Sequence, residues 1–217
     1  MILGACLKIS RFILIAICCL NTASVSGQHV QQKKKEHEAW LFAAENYLNS
    51  IRSMKASFLQ SSTTGKFAHG TLFLHRPGNL RIKYNSPITL QVYANKTWLF
   101  YIDNELKEIS QIPLEKTPAF FLLSDKFRFS KGLNVLNVTK EGGTLRIKIA
   151  MQGDPDGGSM TLILSEQADL FIGWTVTDTQ GIKTNIKLID PIINKPIAEG
   201  IFSFTVPDWA FPKDPQG

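Results

Sequence analysis

Beyond residue 19 the chain has no cysteine; Cys6, Cys18 and Cys19 are its three. That absence excludes a disulfide framework, a cysteine nucleophile and sulfur-bound zinc in everything that follows. Long apolar runs are missing too: "FILIAICCL", Phe12 to Leu20, falls short of the ~20 residues that span a bilayer. Charge of one sign is scarce. The net charge is +6, yet Lys8 and Arg11 lie in the first 27 residues, and without them 22 basic residues face 18 acidic ones. So even a balance does not argue for nucleic acid. Tyrosine is sparse beside phenylalanine, 4 against 14, which also weakens "RIKYNSP" as a base-stacking surface.

Catalytic and metal signatures are equally thin. No G-x-S-x-G, phosphate loop, H-E-x-x-H or zinc spacing occurs. His29 and His37 lie near a polar start, and His69 and His75 lie on one strand face roughly 20 Å apart, too far to share a metal. "DPDGG" (154–158) lacks the acidic ligands and closing glutamate of a calcium loop and reads as a hairpin turn. No catalytic residue, metal or cofactor is expected, and the chain does not read as an enzyme.

What is present begins with export. Lys8 and Arg11 precede the short apolar run, and "VSG" (25–27) offers a small residue for cleavage between Gly27 and Gln28. The alternative, an uncleaved anchor, needs a longer span. The chain then divides into a signal peptide (1–27), a flexible lysine-rich lead-in (28–36) and one domain (37–217).

In the domain, Trp40, Leu41, Ala43, Ala44, Tyr47, Leu48 and Ile51 recur at helical spacing, predicting an amphipathic helix over 38–51. From Met54 the period becomes two. About ten antiparallel strands with tight turns follow, closing with "FSFTV" (202–206), as in a large curved sheet or barrel. One interruption, "EKTPAFFLLSD", predicts a short helix over 117–124 with Thr117 as N-cap and Pro118 in first position. Leu72 and Leu74 share a face with Arg76, and Leu80, Ile82 and Tyr84 alternate beyond the turn. Trp98, Phe100 and Ile102 alternate on a later strand. An ordinary packed core beneath two helices is the simplest use of these faces.

The stretches "LNSIRSMKASFLQ", "GTLFLHRPGNLRIKYNSP", "TWLFYIDNELKEIS" and "TPAFFLLS", with the ending at Phe202, Phe204, Val206 and Pro207, resemble in order and spacing the periplasmic outer-membrane lipoprotein carriers of the LolA family. The resemblance implies an incomplete antiparallel β-barrel of ten or eleven strands, with helices as a lid over an apolar cavity. It implies a periplasmic, monomeric chaperone that takes lipidated proteins from an inner-membrane lipoprotein-releasing ABC transporter to the outer membrane, where a receptor can be a further partner. On that resemblance Arg76 latches the lid. Leu72, Leu74, Leu80, Ile82, Tyr84, Trp98, Phe100 and Ile102 wall the acyl-chain cavity. Trp40, Leu41, Ala44, Leu48, Phe120, Phe121 and Leu123 belong to the lid helices. Leu80 and Ile82 stand where the family often has aromatics. The alternative is an outer-membrane lipoprotein receptor or a periplasmic lipid sensor on the same open barrel. A receptor would carry an acylated Cys18 or Cys19, but these follow Ile17 and Cys18 rather than a small residue.

Overall fold

Alternating side chains from Ser53 to Ile193 build one antiparallel sheet of eleven strands. The computed structural model describes residues 22–117, 119–154, 157–204 and 206–210, with the backbone alone at 22–30. The expected n-region, apolar run and cysteines lie outside the described residues, as does Pro118. Two units are present, Met1–Trp40 and Leu41–Gly217. Helix α1 (Thr22–Ser50) begins in the first and ends in the second. It is longer than the expected 38–51 and runs through residues 28–36 as well. Its glutamines, lysines and glutamate are good helix formers that need no buried face.

The strands are β1 (Ser53–Ser62), β2 (Phe67–His75), β3 (Asn79–Tyr84), β4 (Leu90–Ala94), β5 (Trp98–Asp103) and β6 (Glu108–Pro113), then β7 (Leu133–Glu141), β8 (Thr144–Met151), β9 (Ser159–Ser165), β10 (Phe171–Thr177) and β11 (Lys183–Ile193). Their order is β6-β5-β4-β3-β2-β1-β11-β10-β9-β8-β7. Apart from the β1–β11 pair every neighbour is a hairpin partner, and β6 and β7 are the unpaired edges. The connection between those edges carries a 3-10 turn (Leu114–Lys116) and helix α2 (Ala119–Leu123). A barrel left open at one seam therefore has a helix in the chain that crosses the seam.

The ladder fixes the faces. Met54, Ala56 and Phe58 oppose Leu74, Leu72 and Gly70, and Leu72 opposes Ile82, which opposes Val92. On the other flank Leu188, Ile186 and Trp174 continue the same face to Leu162 and Ile147. Gly70 has a specific job here: a Cβ would lie 2.0 Å from the Lys83 carbonyl oxygen and 3.0 Å from the Phe58 ring. Its bareness lets Phe58 and Tyr84 meet edge-to-face across it, centroids 5.3 Å apart.

That inner face is used in two ways. Under the β7–β10 flank it is solid core: Leu145, Ile147, Leu162 and Leu164 are fully buried, with Phe127 and Phe129 packed at 4.7 Å. Toward β3–β5 the inward residues Ile82, Tyr84 and Leu90 are only half-buried. A packed core is thus half of the answer.

The expected strand at 202–206 does not form. Glu199–Phe202 is a 3-10 turn, and the described residues after it have no ladder partner. Its aromatics are instead pinned on the outer face: Phe204 stacks on Phe100 at 4.8 Å and meets Tyr93 edge-on at 5.8 Å. Alternating phenylalanines anchor an irregular strap as readily as a strand, because their burial needs a surface and not a ladder.

Candidate functional site

A cavity of about 420 Å³ lies between the half-buried inward residues of β3–β5 and the opposing β9–β11 flank. Leu80, Ile82, Val92 and Leu99 line one side, Met160, Trp174 and Ile186 the other, with Ala119 of α2 above. Strands that are far apart in the sheet order share this space, so the sheet curls around it. The size falls in the ~300–1,000 Å³ range of small-molecule sites, and the lining is mostly apolar. A second, smaller cavity of about 60 Å³ continues toward the helix ends, between Leu48, Ile51, Met54, Leu74, Leu122 and Arg76.

Arg76 closes that end. It follows β2 and is 3% exposed, placing a guanidinium among aliphatic side chains. Its Nε donates to the Leu122 carbonyl at 2.6 Å and its Nη1 to the Leu48 carbonyl at 2.5 Å. Both acceptors sit in the last turn of a helix, where carbonyls have no intrahelical donor and the dipole is negative. One cation therefore joins the C-terminal ends of α1 and α2. Burial pulls the guanidinium down to about 10, with Arg52 pushing the same way and Asp125 opposing. It remains protonated at neutral pH, as a two-carbonyl donor must.

Neighbouring bonds hold the same ends. Gly78 N–H donates to the Leu123 carbonyl, and Arg52 reaches the Asp125 carbonyl and carboxylate at 3.0 and 2.7 Å. Asn194 donates to the Ser50 carbonyl at 2.8 Å while its oxygen accepts from Arg52 N–H at 2.8 Å. Asn49 exchanges hydrogen bonds with Phe127, donating at 2.9 Å and accepting at 2.7 Å.

The expected residues separate as follows. Leu72, Leu74, Leu80, Ile82 and Tyr84 share the inner face, and all five line one cavity or the other. Trp98, Phe100 and Ile102 do not. Leu99 opposes Ala94 and Tyr101 opposes Val92, so the inner residues of β5 are Leu99 and Tyr101. In "WLFYI" both faces are apolar, so alternation alone could not say which one turned inward. Phe100 lies beneath the strap residue Phe204. On α1, Ala44 and Leu48 are buried and Leu41 is half-buried. Trp40 lies in the first unit, its ring 5.2 Å from that of His37. On α2, Phe121 and Leu123 are buried, whereas Phe120 is 37% exposed and turned outward. Leu122, not singled out in the sequence, faces the cavity, and its carbonyl accepts from Arg76 Nε. Thr117 is no side-chain N-cap: its hydroxyl donates back to the Leu114 carbonyl at 2.8 Å. His69 and His75 are exposed, and no metal-holding cluster exists among the described residues.

Sequence reasoning missed the far wall, Met160, Trp174, Val176 and Ile186, although "SMTLILS" and "WTV" alternate cleanly. Nothing local says that strands from opposite flanks face one space.

The family described as outer membrane lipoprotein carrier protein LolA matches residues 49–205. An uncharacterized protein of Rickettsia prowazekii is 30% identical over 105 residues, 48% of this chain and 49% of its own, so that match spans about half of each. An outer-membrane lipoprotein carrier protein of Methylococcus capsulatus is 24% identical over 205 residues, covering 90% of this chain and 92% of that one. A protein of the same description from Pasteurella multocida is 25% identical over 181 residues, covering 78% and 85%. An open eleven-stranded sheet with a helix in its seam, an apolar cavity and a match running from the end of α1 to the strap lead to one assignment. The chain belongs to the LolA family of outer membrane lipoprotein carrier proteins.

Proposed function

We propose that this chain is a periplasmic carrier. It shelters the acyl chains of lipidated proteins from water and moves them from an inner-membrane lipoprotein-releasing ABC transporter to the outer membrane. The observation that carries the reading is Arg76, a buried cation bridging the carbonyl ends of two helices over an apolar cavity. An ordinary core has no use for a charge there.

The mechanism follows from two opposed terms. Lifting α1 or α2 strips Arg76 of a charge-assisted acceptor, and an unpaired buried charge costs several kcal/mol. An empty open state is therefore disfavoured. Each methylene moved from water into the cavity contributes about 0.8 kcal/mol, so a few acyl chains outweigh the lost latch bonds. The same latch then favours return to the closed state and biases the carrier toward release at an acceptor. Since the walls are aliphatic and aromatic, the cargo is recognised by its chains and not by a particular protein sequence.

The test is direct. The chain is mixed with a triacylated lipoprotein in detergent, the detergent is diluted away, and the supernatant is analysed by native mass spectrometry. A soluble complex of one chain with one lipoprotein is expected. Aggregation of the lipoprotein to the same extent as without the protein would defeat the reading.

A further inference from the structure

At the end of the larger cavity away from Arg76, the apolar lining is interrupted by polar side chains. The Tyr84 hydroxyl donates to Gln60 Oε1 at 2.9 Å, which orients the Gln60 amide at the cavity wall. Tyr101 lines the same end from β5 and is 37% exposed there. Among the described residues, neither Gln60 Nε2 nor the Tyr101 hydroxyl has a hydrogen-bond partner. Burial pushes the Tyr84 hydroxyl up to about 12, with Tyr101 adding to the effect, and burial raises Tyr101 as well, so both phenols stay protonated. The result is a pair of unused donors where the apolar space meets solvent.

Their chemistry selects a ligand group. Both lack formal charge and can donate, so they suit neutral acceptors, and a hydrocarbon chain offers none. In an acylated molecule, the ester or amide carbonyls stand where the chains join the polar head. With the chains held between Leu80, Ile82, Val92 and Met160, that junction falls at the rim. We propose that Gln60 and Tyr101 form a subsite for the ester or amide carbonyls of the acyl groups, with Tyr84 as the positioning residue for Gln60. The subsite rests on the carrier reading and adds a depth gauge to it: chains enter until their carbonyls meet the two donors.

The experiment compares two probes of equal chain length, a diacyl glycerolipid with ester links and its dialkyl ether analogue. Affinity for each is measured by tryptophan quenching on the wild-type chain and on the Gln60→Leu/Tyr101→Phe variant. Wild type should prefer the ester by about three- to tenfold, the range of one or two net hydrogen bonds. The variant should bind both probes as wild type binds the ether. Equal affinity of wild type for both probes, or a preference that survives in the variant, overturns the subsite and leaves the carrier reading standing. Failure of wild type to bind either probe overturns both. If the double variant lacks the wild-type melting transition, Tyr84→Phe replaces it. That variant removes the orienting bond and should lower the ratio of ester to ether affinity, and a ratio equal to that of wild type overturns the subsite.

Discussion

Arg76 is the residue on which the proposed mechanism turns, because its partners belong to two different helices. Replacing it by leucine keeps the cavity apolar and removes the bridge between Leu48 and Leu122. The Arg76→Leu variant should still take up acyl chains and should accumulate loaded, with slower transfer to an acceptor, as native mass spectrometry of periplasmic extracts would record. Loss of uptake with normal release would contradict the latch. Lysine has one charged group and no planar fork, so Arg76→Lys should satisfy one carbonyl and restore only part of the release rate. The sign of the pH effect is also set. The folded-state value is depressed to about 10, so burying the charge lowers stability by a constant amount below that pH and is relieved only above it. The melting difference between wild type and Arg76→Leu should therefore be flat from pH 5 to 9. A step in that window would mean that another group controls the latch. Wall residues differ among themselves: Leu80 is 8% exposed and Ile82 is half-buried. Ile82→Glu should weaken acyl binding with a small loss of melting temperature, whereas Leu80→Glu should lower both.

Elements behave as units because polar pairs, not helix length, hold them. Helix α2 is a single turn and too short to persist alone. It stays through Arg76, the Gly78 N–H and the loop that follows it. That loop docks on α1 by the reciprocal bonds of Asn49 with Phe127 and by the Phe129 N–H donating to Glu45 at 3.1 Å. Asn49→Ala leaves the Phe127 backbone groups unmatched and should lower stability by about 1–3 kcal/mol in a denaturant titration. A change within about 0.3 kcal/mol would mean that aromatic packing alone secures the loop. The strap over 194–204 is held by a second arginine on the same hairpin. Arg81 lies 4.0 Å over the Tyr93 ring and donates to the Ile201 carbonyl at 3.3 Å, on the face opposite Arg76. Phe204→Ala removes two ring contacts and should raise amide exchange across 199–204 while leaving acyl uptake unchanged.

For the molecule as a whole, the decisive feature is that one sheet face serves as both core and container. Leu145, Ile147, Leu162 and Leu164 supply a packed foundation, and the space between β3–β5 and β9–β11 stays partly unfilled beside α2. The proposed carrier role needs this division: a uniformly packed face could not open, and a uniformly open one would not fold.

Much of this was legible in the residues. Period-two alternation from Met54 onward, with turns at Pro77-Gly78 and Glu141-Gly142-Gly143, dictates an antiparallel meander through local sterics and hydrogen bonding alone. The burial of Arg76 was legible too, since it shares a strand face with Leu72 and Leu74, and parity along a strand is a local property. Parity failed at Trp98, Phe100 and Ile102 because both faces of β5 are apolar, and only the ladder to Val92 and Ala94 decides which turns inward. Tertiary structure alone brought Met160, Trp174 and Ile186 opposite Leu80 and Ile82, because that meeting depends on the curl of the sheet. It also chose Leu48 and Leu122 among several helix-end carbonyls as partners of Arg76. Local chemistry determined the strands and the demand for acceptors; long-range closure of the β1–β11 pair determined where the cavity lies.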